Sequence, residues 1–323
     1  MSSITDVPGV TVGHCTLDAG AIQTGVTVIR PHPHDVYRAK VPAASCVING
    51  FGKSVGLLQV DELGVLETPI ALTNTFSVGT IAQAQIRAAI EDNPQIGREW
   101  ASVNPLVFEC NDGYLNDMQA FAVEPKHYAN ALASCSKTFE RGAAGAGRGM
   151  SCFELKGGIG SASCVDVLSN NTYTVGALVL ANFGKLPQLT IKGDPVGQRL
   201  HASSDKAPEQ GSIIMILATD APLDARQLRR LAMRSAAGLA RTGSSFGHGS
   251  GDIALAFSTA YTVPHDSTFI TIPPLINDMH LDPLFNAAAD SIEHAILDAL
   301  YSAETVTGRD GHRRISLREA MKS

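Results

Sequence analysis

Nine short apolar or β-branched runs, each bounded by Gly, Pro, Asn or Asp, recur along this chain and set its fold class. They cover residues 9–12, 25–29, 44–49, 69–72, 105–109, 173–181, 212–218, 252–260 and 268–272. Helical periodicity is confined to three stretches. Residues 81–90 set Ile86 and Ile90 four apart, and residues 226–241 align Leu228, Leu231, Ala232, Ala236 and Leu239 on one stripe. Residues 284–303 are rich in Ala and Leu. Helices and strands are mixed without regular alternation, so stacked layers of sheet and helix (α+β, or α/β with a mixed sheet) fit better than a doubly wound sheet. A length of 323 residues allows one large domain or two ordinary ones, and no repeat or low-complexity linker divides the chain. Residues 185–208 and the polar tail 307–323 read as the least ordered stretches.

Composition removes several classes of function. With 44% hydrophobic and 17% charged residues the chain is not intrinsically disordered. A net charge of −6 with no basic block leaves no nucleic-acid footprint. The first residues lack the basic and apolar regions of a signal peptide, and no apolar run approaches the ~18 residues of a membrane span. Six scattered cysteines without a C-x-x-C pair read as buried small hydrophobes in a reducing compartment, which makes the cytoplasm the expected location. His32-Pro33-His34 has no third ligand at metal spacing, so neither metal nor cofactor is expected.

Five segments are dense enough in polar residues or glycine to carry chemistry. Gly247-His248-Gly249-Ser250-Gly251-Asp252 leads directly into an apolar strand. Its glycines permit backbone torsions that other residues avoid. Cleavage between Gly249 and Ser250 would give Ser250 a free α-amine beside its own hydroxyl. Such an amine titrates near ~8, low enough to serve as the local base for Oγ. The same residues also read as a plain glycine-rich hairpin loop, with His248 a polar loop residue. The run from Gly142 to Gly160 fits neither G-x-x-x-x-G-K-[ST] nor G-x-G-x-x-G, so it reads as close backbone approach at a cleft or as tight packing.

The segment from Glu109 to Asp117 follows a strand, where loops commonly mount sites. Glu109 is suited to a substrate amine and Tyr114 to a pocket wall, although Asn111-Asp112-Gly113 is also good turn chemistry. Asn182, at the end of another strand, is either an oxyanion donor or a turn residue. Asp290-Ser291-Ile292-Glu293 reads as a helix start capped by Asp290 with Glu293 reaching back. A Ser291–Glu293 relay is the alternative, and spacing disfavours it because residues two apart do not face each other on a helix.

Taken in order, these segments resemble the D-aminopeptidase/β-peptidyl aminopeptidase family (L-aminopeptidase/D-esterase) of self-processing serine hydrolases. The resemblance also includes Ile4-Thr5-Asp6-Val7-Pro8-Gly9-Val10, Leu72-Thr73-Asn74-Thr75-Phe76-Ser77-Val78-Gly79 and Ala303-Glu304-Thr305-Val306-Thr307-Gly308-Arg309-Asp310-Gly311. It implies a single α+β domain, a layered α/β/β/α sandwich of two sheets between helices, similar to N-terminal-nucleophile hydrolases with different connectivity. It further implies cleavage into chains 1–249 and 250–323, with Ser250 as nucleophile and Asn182 as oxyanion donor. Ser291 and Glu293 would form a supporting relay, and Glu109 and Tyr114 would meet the substrate.

The expected activity is release of N-terminal residues, D- or β-configured ones included, from small peptides, amides or esters through an acyl-enzyme on Ser250. Homo-oligomers of processed pairs are expected, without nucleic-acid or membrane partners. Arg141 and Arg148 depart from the family pattern and would alter the pocket's charge if they faced it. The alternatives are an amidase or acyltransferase acting on a substrate without a free amine, and an unprocessed binding or scaffold protein.

Overall fold

The computed structural model describes residues 2–200 and 211–322. Its strands, in chain order, begin with β1 (Thr11–Ala19), β2 (Ile22–Arg30), β3 (Ala39–Asn49), β4 (Val65–Leu66), β5 (Ile70–Asn74) and β6 (Leu106–Cys110). They continue with β7 (Ser151–Cys152), β8 (Leu155–Lys156), β9 (Gly158–Leu168), β10 (Asn171–Asn182), β11 (Gly211–Thr219), β12 (Ser250–Ser258) and β13 (Val263–Pro264). The helices include α1 (Leu57–Leu63), α2 (Val78–Asp92), α3 (Pro125–Ala133), α4 (Val196–Leu200), α5 (Ala225–Met233), α6 (Ser235–Arg241) and α7 (Asp282–Ser302).

Two sheets result. One has the order β1-β2-β5-β6, and the other runs β13-β3-β12-β11-β10-β9 with β4 beside β3. The second sheet is mixed: β11 and β12 are parallel, while β9, β10 and β3 join antiparallel. Both of its faces are buried, which is why its central strands read as unbroken apolar runs. Along β10, Leu178 and Leu180 point to the first sheet and meet Leu72, Leu106 and Phe108. The alternate residues Ala177, Val179 and Ala181 point outward to a layer that includes Leu231, Leu284, Ile292 and Ala295. On the far side of the first sheet, Val26, Val28 and Val107 pack on Val78, Ile81 and Tyr128 of α2 and α3. The α/β/β/α sandwich is therefore the observed architecture.

Four local expectations are corrected. Residues 268–272 form no strand; they are irregular, Phe269 is exposed, and Pro273 and Pro274 follow directly. The single helix expected over 226–241 is broken at Arg234 into α5 and α6. The glycine run hides β9, whose small residues let α7 lie close: a Cβ on Gly160 would collide with the Ala295 carbonyl oxygen. The polar tail is ordered as well, with Val306–Thr307 paired to Arg313–Arg314 and Leu317 fully buried. Of the other stretch read as least ordered, 186–188 and 196–200 are helical turns, and 201–208 lie outside the described residues.

Candidate active site

Ser250 opens β12, and the residues just before it form a tight turn. The Ser250 N–H donates to the Gly247 carbonyl at 2.9 Å, so the peptide joining Gly249 to Ser250 closes the turn. Asn49, the last residue of β3, clamps it: its Nδ2 donates to Gly247 O at 3.0 Å and also to Ser250 O. On the neighbouring strand Gly211 lies opposite Ser250, and its N–H donates to the Gly249 carbonyl oxygen at 3.4 Å. Buried backbone groups need such partners, and here they fix the junction from three sides.

Strand periodicity then decides where the side chains go. Residues two apart on a strand share a face, so Ser250 and Asp252 lie together, and Ser250 Oγ donates to Asp252 Oδ1 at 2.7 Å. Both residues are buried. Gly251 between them faces the other way, where a Cβ would strike the Phe51 carbonyl oxygen.

A cleft of about 940 Å³ opens at this end of the sheet, and Gly249, His248, Asn182, Glu109, Tyr114 and Lys53 are among its walls. Asn182 ends β10 opposite Ser212, and Ser212 in turn pairs with Gly251. Two strand spacings, about 10 Å, thus separate Asn182 from the junction. Its amide is oriented by two bonds: Oδ1 accepts from Ser151 N–H at 2.8 Å and Nδ2 donates to Asn111 O at 2.9 Å. Ser151 is delivered by a loop that Lys156 ties down, its Nζ donating to Gly147, Met150 and Gly157 carbonyls at 2.9, 3.0 and 2.7 Å. Burial brings the Lys156 ammonium down to about 7.

Glu109 comes from the other sheet. It is buried; Oε1 accepts from Lys53 N–H at 2.8 Å and Oε2 from the Thr75 hydroxyl. Both of these donors are neutral, so a cationic group entering the cleft is the complement this buried carboxylate favours. Tyr114 forms a firm wall, stacked on His312 with ring centres 4.7 Å apart and covered by the Arg314 guanidinium at 3.8 Å. His248 lies edge-on to Phe51. Beneath the cleft, burial pushes Asp112 up to about 7, and the Glu109 charge adds to the shift while Thr24 and Asn116 oppose it. Burial, reinforced by Glu109, Asp252 and Asp112, raises the Cys110 thiol well above its ordinary value.

Ser291 and Glu293 are not brought to this site. Both lie inside α7, where Ser291 Oγ donates to Val175 O at 3.0 Å. Val175 is seven residues along β10 from Asn182, about 23 Å at strand rise. Glu293 faces Arg241 at 3.4 Å instead. The relay does not form, since positions two apart on a continuous helix diverge. Asp290 caps nothing either: α7 starts at Asp282, and Asp290 pairs with Arg241 at 2.5 Å.

Arg141 and Arg148 are also absent from the described cleft lining; they bind Asp298 and Glu304. The glycine run around them is packing, with Gly158 against the Gly142 carbonyl. A larger cavity, about 1110 Å³, lies beside Arg141 and holds none of the candidate site residues. Asn49, Thr75 and the role of Asp252 escaped the sequence reading. Only Asp252 carried a usable signal, the Ser-x-Asp spacing at a strand start.

The chain matches the model of peptidase family S58 over residues 2–314. It is 37% identical to the β-peptidyl aminopeptidase BapA of Sphingosinicella microcystinivorans, over 96% of this chain and 84% of that relative. A solved structure of a Pyrococcus horikoshii protein superposes with a TM-score of 0.95 at 47% identity, covering 99% of this chain and 94% of the other. The L-aminopeptidase D-Ala-esterase/amidase of Ochrobactrum anthropi, described as a prototype serine aminopeptidase with a variant Ntn-hydrolase fold, superposes with a TM-score of 0.93. It is 34% identical, over 99% of this chain and 92% of its own.

Proposed function

This chain belongs to peptidase family S58 and is a serine aminopeptidase, and from that premise we propose that it cuts itself between Gly249 and Ser250 to become active. The observation that carries the proposal is the junction itself. Ser250 is the first residue of a buried strand, its peptide bond to Gly249 closes a turn, and Gly249 lines the cleft shared with Asn182 and Glu109. Cleavage there yields chains 1–249 and 250–323 within one domain.

The liberated α-amine titrates near ~8 and takes the Oγ proton as Ser250 attacks a substrate carbonyl. Asn182 Nδ2, released from Asn111 O, donates to the developing oxyanion. Glu109 holds the substrate's free ammonium, and the Tyr114 wall limits the substrate to short peptides, amides or esters. Collapse of the intermediate leaves an acyl-enzyme, which water hydrolyses. D- and β-configured residues fall within the proposed range, as the names of the relatives mention β-peptidyl and D-Ala substrates.

We place the protein in the cytoplasm, a setting that suits its six free cysteines. Assembly of processed pairs into homo-oligomers would cover apolar side chains such as Phe269 and Ile270, which stand exposed here. Among the described residues no helix is long and apolar enough to cross a membrane.

Intact mass spectrometry tests the central step. Wild-type protein is expected as two chains split after Gly249, and Ser250→Ala as one inactive chain. A wild-type preparation that hydrolyses aminoacyl amides as a single chain overturns the proposal.

A further inference from the structure

The proposed α-amine base does not exist until the Gly249–Ser250 bond has broken, so the first cut needs another base. In the intact chain the Ser250 hydroxyl already donates to a carboxylate, Asp252 Oδ1, at 2.7 Å. The scissile carbonyl oxygen accepts from Gly211 N–H at 3.4 Å, and Asn49 holds the turn through Gly247 O and Ser250 O. Nucleophile, base and carbonyl donor are thus assembled before cleavage.

We infer that Asp252 is the general base of self-cleavage. Asp252 takes the Oγ proton as Oγ bonds to the Gly249 carbonyl carbon, and Gly211 N–H stabilises the oxygen that becomes negative. The proton passes to the Ser250 nitrogen as the carbon–nitrogen bond breaks. The products are an ester between Gly249 and Ser250 Oγ and the free α-amine. One water then hydrolyses the ester to the Gly249 carboxylate and restores the Ser250 hydroxyl. A carboxylate two residues after the nucleophile on a strand serves this step because the pleat returns it to the same face.

This inference rests on the proposed self-cleavage, and the test separates the two. Wild-type and Asp252→Asn chains are made by cell-free synthesis, and chain splitting is followed over time by gel and intact mass. Asparagine keeps the size and the Oδ1 acceptor and removes only the basicity. Splitting is expected to slow at least about 100-fold, with the melting curve of the precursor unchanged. Ser250→Cys in the Asp252→Asn background is expected to recover splitting at mildly alkaline pH, because a thiol supplies its own anion.

Should Asp252→Asn not fold, Asp252→Ala with and without added formate answers the same question: acceleration by formate supports the base role and its absence opposes it. Asp252→Asn splitting within about threefold of wild type overturns the role of Asp252 while leaving self-cleavage intact. A wild-type chain that never splits overturns both.

Discussion

The two ends of the second sheet each bury a serine, and the two serines are alike by the measures most often used to find a site. Ser250 is 1% exposed and Ser291 0%, and each donates one hydrogen bond. Their acceptors differ. Ser250 donates to a carboxylate beside a cleft, at the mouth of a strand that follows directly on a tight turn whose Gly249 lines that cleft. Ser291 donates to the Val175 peptide carbonyl under a layer of packed alanines and leucines. A carbonyl oxygen cannot take up a proton at neutral pH, and neither cavity described above is lined by Ser291 or Val175. Burial marks both serines as structurally fixed; the basicity of the acceptor and access to an electrophile make only one of them a nucleophile.

The contrast is sharpest at Glu109, which belongs wholly to the cleft end. Glu109→Gln keeps an acceptor for Lys53 N–H, turns the Thr75 hydroxyl into the acceptor of its amide N–H, and removes the charge. We expect kcat/KM to fall about 10²–10³-fold on substrates with a free amine, the usual cost of stranding one half of a buried ion pair. N-acetylated ester analogues should change less than about threefold. Equal losses on both substrate sets would make Glu109 a structural residue and blur the difference between the two ends.

A smaller effect separates the ends by pH. Asp112 has its folded pKa raised from 3.8 to about 7, chiefly by burial. Its contribution to stability is therefore fully present below the unfolded value and is lost as pH rises through about 7. Relative to Asp112→Asn, the wild type should lose about 3 kcal/mol between pH 4 and pH 7. Urea titrations across that window measure it. A flat difference would mean Asp112 is ionised throughout, its charge compensated by the buried Lys156 ammonium with which it interacts.

Much of this was legible in the chain. The central strands declared themselves because both faces are buried, and the Gly249-Ser250 junction stood out because three glycines fall within five positions where a strand begins. Asn182 and Glu109 were visible as polar residues closing apolar strands. What stayed hidden is what depends on the third dimension. Asn49 lies two hundred residues from the turn it clamps, and nothing near it in sequence marks it. Strand β9 was masked because its glycines serve a helix approaching from above. Ser291 and Glu293 match a serine-x-glutamate pattern in order along the chain, yet the pattern falls on a continuous helix at the wrong end of the sheet. Order along a chain carries motifs well only where the local backbone delivers them to one place.

The smallest predicted effects are the ones that put the comparison at greatest risk. Ser291→Ala removes one buried hydroxyl–carbonyl bond, so it should lower stability by about 1 kcal/mol. Catalysis and splitting should stay within about twofold of wild type. Glu293→Gln weakens a pair with the half-exposed Arg241, and screening limits that loss to about 0.5 kcal/mol. Melting curves and initial rates on the same preparations check both. Suppose instead that either variant lost about 100-fold in rate with its melting curve unmoved. The far end would then have to reach Ser250 through a rearrangement of α7, because the residues of β10 between Val175 and Asn182 are apolar or glycine and offer no side-chain relay to the cleft.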